Sequence, residues 1–109
     1  MIFYVIKKTG KGYITDQNHS YFNGDDHFLY SMNIIEGKRF HSRDILEIHI
    51  KNNILHYDNN YVVEKFNLIE YEKRKNNDLE IFIKYTLIEK FNINKIIKKI
   101  KILSKLIEL

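Results

Sequence analysis

The chain has no cysteine, proline, tryptophan or alanine, and only four glycines. Without cysteine there is no disulfide, no thiolate metal site and no cysteine nucleophile. Such a chain suits a reducing compartment, and the cytoplasm is the expected location. No run of about 18 apolar residues occurs, so no membrane-spanning helix and no membrane partner are expected. The apolar start, Ile2 to Ile6, is too short for a signal core, and Lys7 and Lys8 follow it rather than precede it. With 109 residues the chain is one domain, or one small domain with an appendage. A TIM barrel or a full dinucleotide-binding enzyme is excluded.

Isoleucine (19), lysine (15) and asparagine (12) dominate what is present. A coding sequence rich in A and T would produce that skew without a functional cause. Hydrophobic residues make up 44% and charged residues 29%, the balance of a soluble globular chain. The net charge of +4 is unevenly spread. Residues 1–60 balance, residues 61–89 carry −1, and residues 90–109 carry +5 from six lysines and Glu108. A concentrated basic stripe attracts nucleic acid, an acidic protein face or anionic lipid. It is also what a plain solvated helix face looks like in a lysine-rich chain.

The pattern along the chain predicts an α+β fold. Residues 2–8 are β-branched and aromatic and read as a strand. Thr9-Gly10-Lys11-Gly12 reads as a turn into a second strand at 13–15. Asn23-Gly24 is the strongest short hairpin signal, with a third strand at 27–32. Ser42 caps a short helix with Asp44 in its first turn, and Ile45, Ile48 and Leu55 would line its apolar stripe. The alternation of Leu46, Ile48 and Ile50 also fits a strand. The cap and the Asn52-Asn53 stop favour the helix. Tyr61–Tyr71 returns to strand, with a bulge expected at Asn67. Two parts are expected: residues 1–75, an antiparallel sheet with its short helix, and residues 76–109, a helical segment packed on the sheet or on a partner chain. Glu72–Asn77 is the polar bridge between them.

Residues 79–91 are apolar on nearly every side. With Asp78 as a cap they read as a sandwiched or partner-pairing helix, and a strand at Ile81-Phe82-Ile83 is the alternative. Residues 93–107 are clearer. Ile93, Ile96, Ile97, Ile100, Leu103 and Ile107 share one helical face. Lys95, Lys98, Lys99 and Lys105 lie opposite, Lys101 sits at the margin, and Ile102 and Leu106 stray toward the polar side. The five lysines are the candidate contacts for nucleic acid or a partner.

No catalytic signature appears. The histidines (His19, His27, His41, His49, His56) have no His-Glu-x-x-His spacing. Asp25-Asp26-His27 is the densest group of metal-ligand types, but hairpin tips favour Asp and Asn for conformational reasons alone. The serines lack a nucleophile-elbow context, and Gly10-Lys11-Gly12 is too short for a phosphate loop. The expectation is a non-enzymatic protein with no metal and no cofactor. Tyr4, Tyr13, Tyr21, Phe22, Phe28 and Tyr30 could stack bases. In a chain without tryptophan or alanine, however, Phe and Tyr must supply much of the core volume. Tyr21, Phe22, Asp25 and Asp26, around the Asn23-Gly24 turn, are the candidate partner contacts in the first half.

Four segments carry a resemblance: Tyr4-Val5-Ile6-Lys7, Gly12-Tyr13-Ile14, Phe40-His41-Ser42 with Gly37 three residues ahead of Phe40, and Tyr61-Val62-Val63. In this order the first seventy residues resemble small α+β proteins encoded by bacteriophages and mobile elements. The match covers about residues 2–71. The alanine usual in the helix is absent, and the chain from Glu72 onward departs from the pattern. The resemblance implies an inhibitor that binds a host protein or ribonucleoprotein complex. In its sharpest form it would be an anti-CRISPR protein that occludes a Cas nuclease. The alternatives are a nucleic-acid-binding accessory protein using the basic helix, and a homo-oligomeric structural protein pairing through residues 79–107.

Overall fold

A computed structural model describes residues 1–18 and 27–107, with backbone alone at 18, 106 and 107. The expected hairpin tip with Tyr21, Phe22, Asp25 and Asp26 lies outside the described residues. The described chain is α+β, as expected: β1 (Ile2–Lys8), β2 (Gly12–Asn18), β3 (Phe28–Ser31), α1 (Arg43–Asn52), β4 (Tyr61–Lys75), β5 (Asp78–Asn92) and α2 (Asn94–Ile107). The strands form one antiparallel sheet in the order β3-β2-β1-β4-β5. No described helix is long and apolar enough to cross a membrane.

Local chemistry explains the joins. Gly12 holds φ at +112°, and a Cβ there would come within 2.5 Å of the Ser31 carbonyl oxygen. Only glycine lets β3 approach β2 so closely. Ser42 caps α1, its Oγ accepting the Ile45 N–H at 3.1 Å. Asn53 ends α1, its own N–H reaching the His49 carbonyl oxygen at 3.1 Å. The segment before α1 is tied to the sheet by paired backbone bonds between Tyr4 and Phe40, at 2.7 and 2.9 Å.

The helix expected at 79–91 is a strand. Asn76 and Asn77 both take positive φ, 53° and 69°, the backbone of a two-residue hairpin turn. Asparagine tolerates that region better than other side-chain-bearing residues. Asp78 therefore opens β5 opposite Lys75 instead of capping a helix. The apolar residues of 79–87 follow period 2, and Ile81, Ile83 and Thr86 are β-branched, which suits a strand. Glu72–Lys75, read as a bridge, belongs to β4. The bulge also moves: the register shifts between Lys65 and Phe66, leaving Ile88 as the extra residue. Asn67 pairs regularly with Ile2 and Thr86.

One sheet face carries the larger core. Tyr4, Ile6, Ile14, Phe28 and Val63 pack there against Leu46 and Ile50 of α1, against Ile93 just before α2, and against Ile96 and Ile97 of α2. The expected α1 stripe is displaced. Ile45, Ile48 and Leu55 are exposed, and the buried pair is Leu46 and Ile50, one turn apart. The isoleucine face of α2 holds through Ile97, with Ile100 partly buried, while Leu103 is exposed because the helix runs on past the sheet. On the opposite face Phe3, Val5, Tyr13 and Phe66 form a smaller core, flanked by Ile34, Leu68 and Tyr85. Arg39 closes it: its guanidinium lies 4.7 Å from the Phe3 ring centroid, and Nη2 donates to the Tyr85 hydroxyl at 3.1 Å.

Ile96 is fully buried and Ile102 is exposed. Ile96→Ala is expected to cost about 2–5 kcal/mol of stability, whereas Ile102→Ala stays within about 0.5 kcal/mol. Urea denaturation of the two variants checks the placement of α2, and equal losses would contradict it.

Candidate functional site

The outer part of the β4–β5 hairpin leaves the body as a two-stranded arm. The molecule measures 66 × 34 × 19 Å with a radius of gyration of 17.1 Å. A compact chain of this length would have a radius near 13 Å. Register fixes the arm's faces, since opposed residues point the same way and neighbours alternate. Leu79, Ile81, Ile83, Tyr85 and Leu87 share one face with Phe66, Leu68, Glu70, Glu72 and Arg74, so the β5 half of that face is apolar and the outer β4 half is charged. That face begins in the smaller core at Phe66 and runs outward uncovered, with Ile81 reaching 65% exposure. The other face carries the stacked Tyr71 and Phe82 rings, 5.3 Å apart, and the opposed Lys73 and Glu80. From Glu70 to Lys84 four acids meet four bases, so the arm has no net charge.

The basic helix divides by function. Lys99 Nζ donates to Glu47 Oε1 at 2.9 Å, and Arg43 Nε reaches the same oxygen at 3.4 Å, so Glu47 ties α1 to α2. The Lys99 hydrogen bond is the main cause holding the Glu47 carboxyl below its ordinary range. Lys95 lies over the Phe91 ring at 5.3 Å. Lys98, Lys101 and Lys105 are exposed at successive turns. The five predicted lysines therefore share a helix, with two of them engaged by the protein itself. Beside them an open groove of about 490 Å³ runs between α1 and α2, lined by Glu47, Ile48, Lys51, Ile100 and Leu103 among others.

A third cluster gathers histidines that the sequence left scattered. His49 sits between Phe40 and Tyr57, and its Nε2 is hydrogen-bonded to the Tyr57 hydroxyl. Burial, with the positive charges of Lys38 and His27, pushes His49 down to about 4. Burial first, then Tyr61 and Tyr30, pushes Tyr57 up. A pair displaced in opposite directions from neutrality is fixed in its neutral form near pH 7, which suits a structural hydrogen bond better than proton transfer. His27 and His56 stack face to face at 3.8 Å, so their ring edges do not converge on one point. Among the described residues no group of three or more His, Asp or Glu side chains has metal-binding geometry. On the opposite face Glu64 is buried beside Tyr13. Burial, then the Glu64 charge and hydrogen bond, push Tyr13 up to about 12.

Of the aromatics read as core or stacking platform, Tyr4, Tyr13 and Phe28 are buried and Tyr30 is half-buried. The sequence reading missed the arm as a surface, although two signals for it were present: the Asn76-Asn77 pair and the alternation from Leu79 to Leu87. Comparison with known protein families, curated proteins and solved structures finds no match for this chain.

The histidine cluster sets a pH dependence. The unfolded chain takes up a proton at His49 near pH 6.5, and the folded chain refuses it until about pH 4. Stability is therefore full above that window and falls as pH drops through it. Glu47 adds a loss of the same sign below its ordinary value of 4.5. The denaturation midpoint is expected to fall between pH 6.5 and 4, and His49→Gln to flatten the upper part of that fall. An unchanged profile in the variant contradicts the assignment.

Proposed function

We propose that the protein acts by binding and blocking a host macromolecular complex, in the manner of small phage and mobile-element inhibitors. The sharpest form of this reading is an anti-CRISPR protein that occludes a Cas nuclease. The arm carries the binding part of the reading. A two-stranded ribbon is marginal alone in water, and the row Leu79–Leu87 along β5 is a contiguous exposed apolar strip of the kind that marks an interaction surface. The arm's charge balance favours a protein partner over a polyanion, because phosphate recognition requires excess positive charge. The inhibitor part rests on the resemblance of residues 2–71.

The test is a plaque assay in cells carrying a Cas effector that restricts a phage. Co-expression of the wild-type protein is expected to restore plaquing. Ile81→Lys, at the most exposed arm isoleucine, is expected to weaken this by about tenfold or more, the scale of losing one interface hot spot. Restriction undiminished by the wild-type protein across effector types rejects the inhibitor reading. Full activity of a folded Ile81→Lys protein rejects the arm as its surface.

A second reading rests on Lys98, Lys101 and Lys105, exposed at successive turns of α2. If they contact phosphates, affinity for DNA or RNA falls steeply with salt. Replacing all three with Glu should then reduce the magnitude of the slope of log K against log salt by about 3. Fluorescence anisotropy that detects no binding at about 50 mM salt removes this reading.

A further inference from the structure

We propose that β5 pairs with the β5 of a second copy, antiparallel, about a two-fold axis at Phe82. β5 is an edge of the sheet, with fifteen residues against four for β3 at the other edge. An edge that long presents a row of backbone donors and acceptors that another strand can complete. The residues themselves point to which strand. With Phe82 on the axis, Phe82 meets Phe82 of the second copy, Ile81 meets Ile83, Glu80 meets Lys84 and Leu79 meets Tyr85.

The Phe82 pair lies on the axis and each of the others occurs twice by symmetry, as a self-complementary contact requires. Neighbouring registers lose the Glu80–Lys84 pair. Centring on Lys84 or Glu80 sets like charges directly opposed, centring on Ile83 leaves Glu80 and Lys84 facing Thr86 and Phe82, and centring on Ile81 pairs Lys84 with Asp78 but sets Glu80 against Phe82. Centring further toward the body runs into the bulge at Ile88, where the alternation of faces reverses. Asp78–Thr86 is regular throughout, so the Phe82 register uses the part of β5 free to pair flat. The two bodies then lie at opposite ends of a shared four-stranded ribbon and do not compete for space. The ribbon sets two copies of the apolar Leu79–Leu87 row side by side, flanked on each outer strand by Glu70, Glu72 and Arg74.

This dimer does not depend on the identity of any host target. A monomer that inhibits would sink the dimer alone, and a dimer that fails to inhibit would sink the inhibitor reading alone. The test is sedimentation equilibrium on the full chain with charge-reversed variants. The wild-type protein is expected to dimerise. E80K and K84E each place like charges across the axis at both symmetric positions and are expected to be monomers. Mixed in equal amounts, they restore opposite charges at both positions and are expected to form a heterodimer. Circular dichroism melting keeps unfolding separate from dissociation. Because the chain has no native cysteine, F82C provides a second measurement: under mild oxidation its one thiol should crosslink two copies across the axis. A wild-type monomer at about millimolar concentration overturns the proposal. So does wild-type dimerisation by either folded charge variant, or a mixture that stays monomeric.

Discussion

The pairing of β4 with β5 constrains everything else in the molecule. β4 lies between β1 and β5 for its first half and has β5 alone beyond Leu68, which still bonds to Met1. In the shared half Val63 and Phe66 are buried on opposite faces, which fixes the register there. A slip of one residue would turn Val63 and Phe66 out of their cores and bury Val62 and Lys65 in their place. Register fixed at the base carries outward along the ladder, so the arm inherits its geometry from the body although little of its own surface is buried. Tyr71 stacked on Phe82 and Lys73 opposite Glu80 add local support. Such cross-strand pairs contribute roughly 0.2–1 kcal/mol each, enough to bias the arm and too little to make it independent of its base.

The same ladder positions α2. Asn92 closes β5, and its Oδ1 accepts the Asn94 N–H at 2.9 Å as the chain turns into the helix. Ile93 is buried at that corner, and its N–H reaches the Tyr61 carbonyl oxygen at 3.0 Å. The start of α2 is thus pinned to the start of β4. Ile96 and Ile97 fill the core opposite Leu46 and Ile50, and the Glu47–Lys99 contact lies at the rim of that helix pair. An exposed ion pair of this kind contributes about 0–1 kcal/mol, so the buried isoleucines hold α2 in place and the ion pair sets its orientation. Past Ile100 the apolar face of the helix opens onto the groove it shares with α1, and Leu103 there is exposed.

How far the sequence disclosed this varies with the physics of each element. β1 was legible to the residue, because Ile2 to Ile6 are β-branched or aromatic and Gly10 and Gly12 punctuate its end. α1 was legible from Ser42, a cap whose hydrogen bond is local. Its buried face was not, since choosing Leu46 and Ile50 over Ile45 and Ile48 depends on where the sheet lies. The segment 79–91 was misread for a related reason. Phe82 and Ile88 interrupt the alternation of Leu79, Ile81, Ile83, Tyr85 and Leu87, so the segment reads as apolar on nearly every side, and Asp78 resembles a cap when Asn76-Asn77 is taken as a linker. The left-handed conformation of both asparagines, a tertiary outcome of β4 and β5 pairing, decides between the two.

The placement of charge follows from the same architecture. The arm is neutral over Glu70–Lys84 while α2 gathers Lys95, Lys98, Lys99, Lys101 and Lys105. Long-range electrostatic attraction therefore originates at the helix, and short-range apolar complementarity at the ribbon. At physiological salt the field of the lysines fades within about 8 Å, so the two surfaces act on different scales. In the proposed binding role the helix would raise the rate of encounter with an acidic partner, whereas the arm would govern how long a complex lasts, because apolar contacts act mainly through dissociation. A balanced arm also lets two copies approach without mutual repulsion, which a lysine-rich edge, the usual protection against strand addition, would prevent.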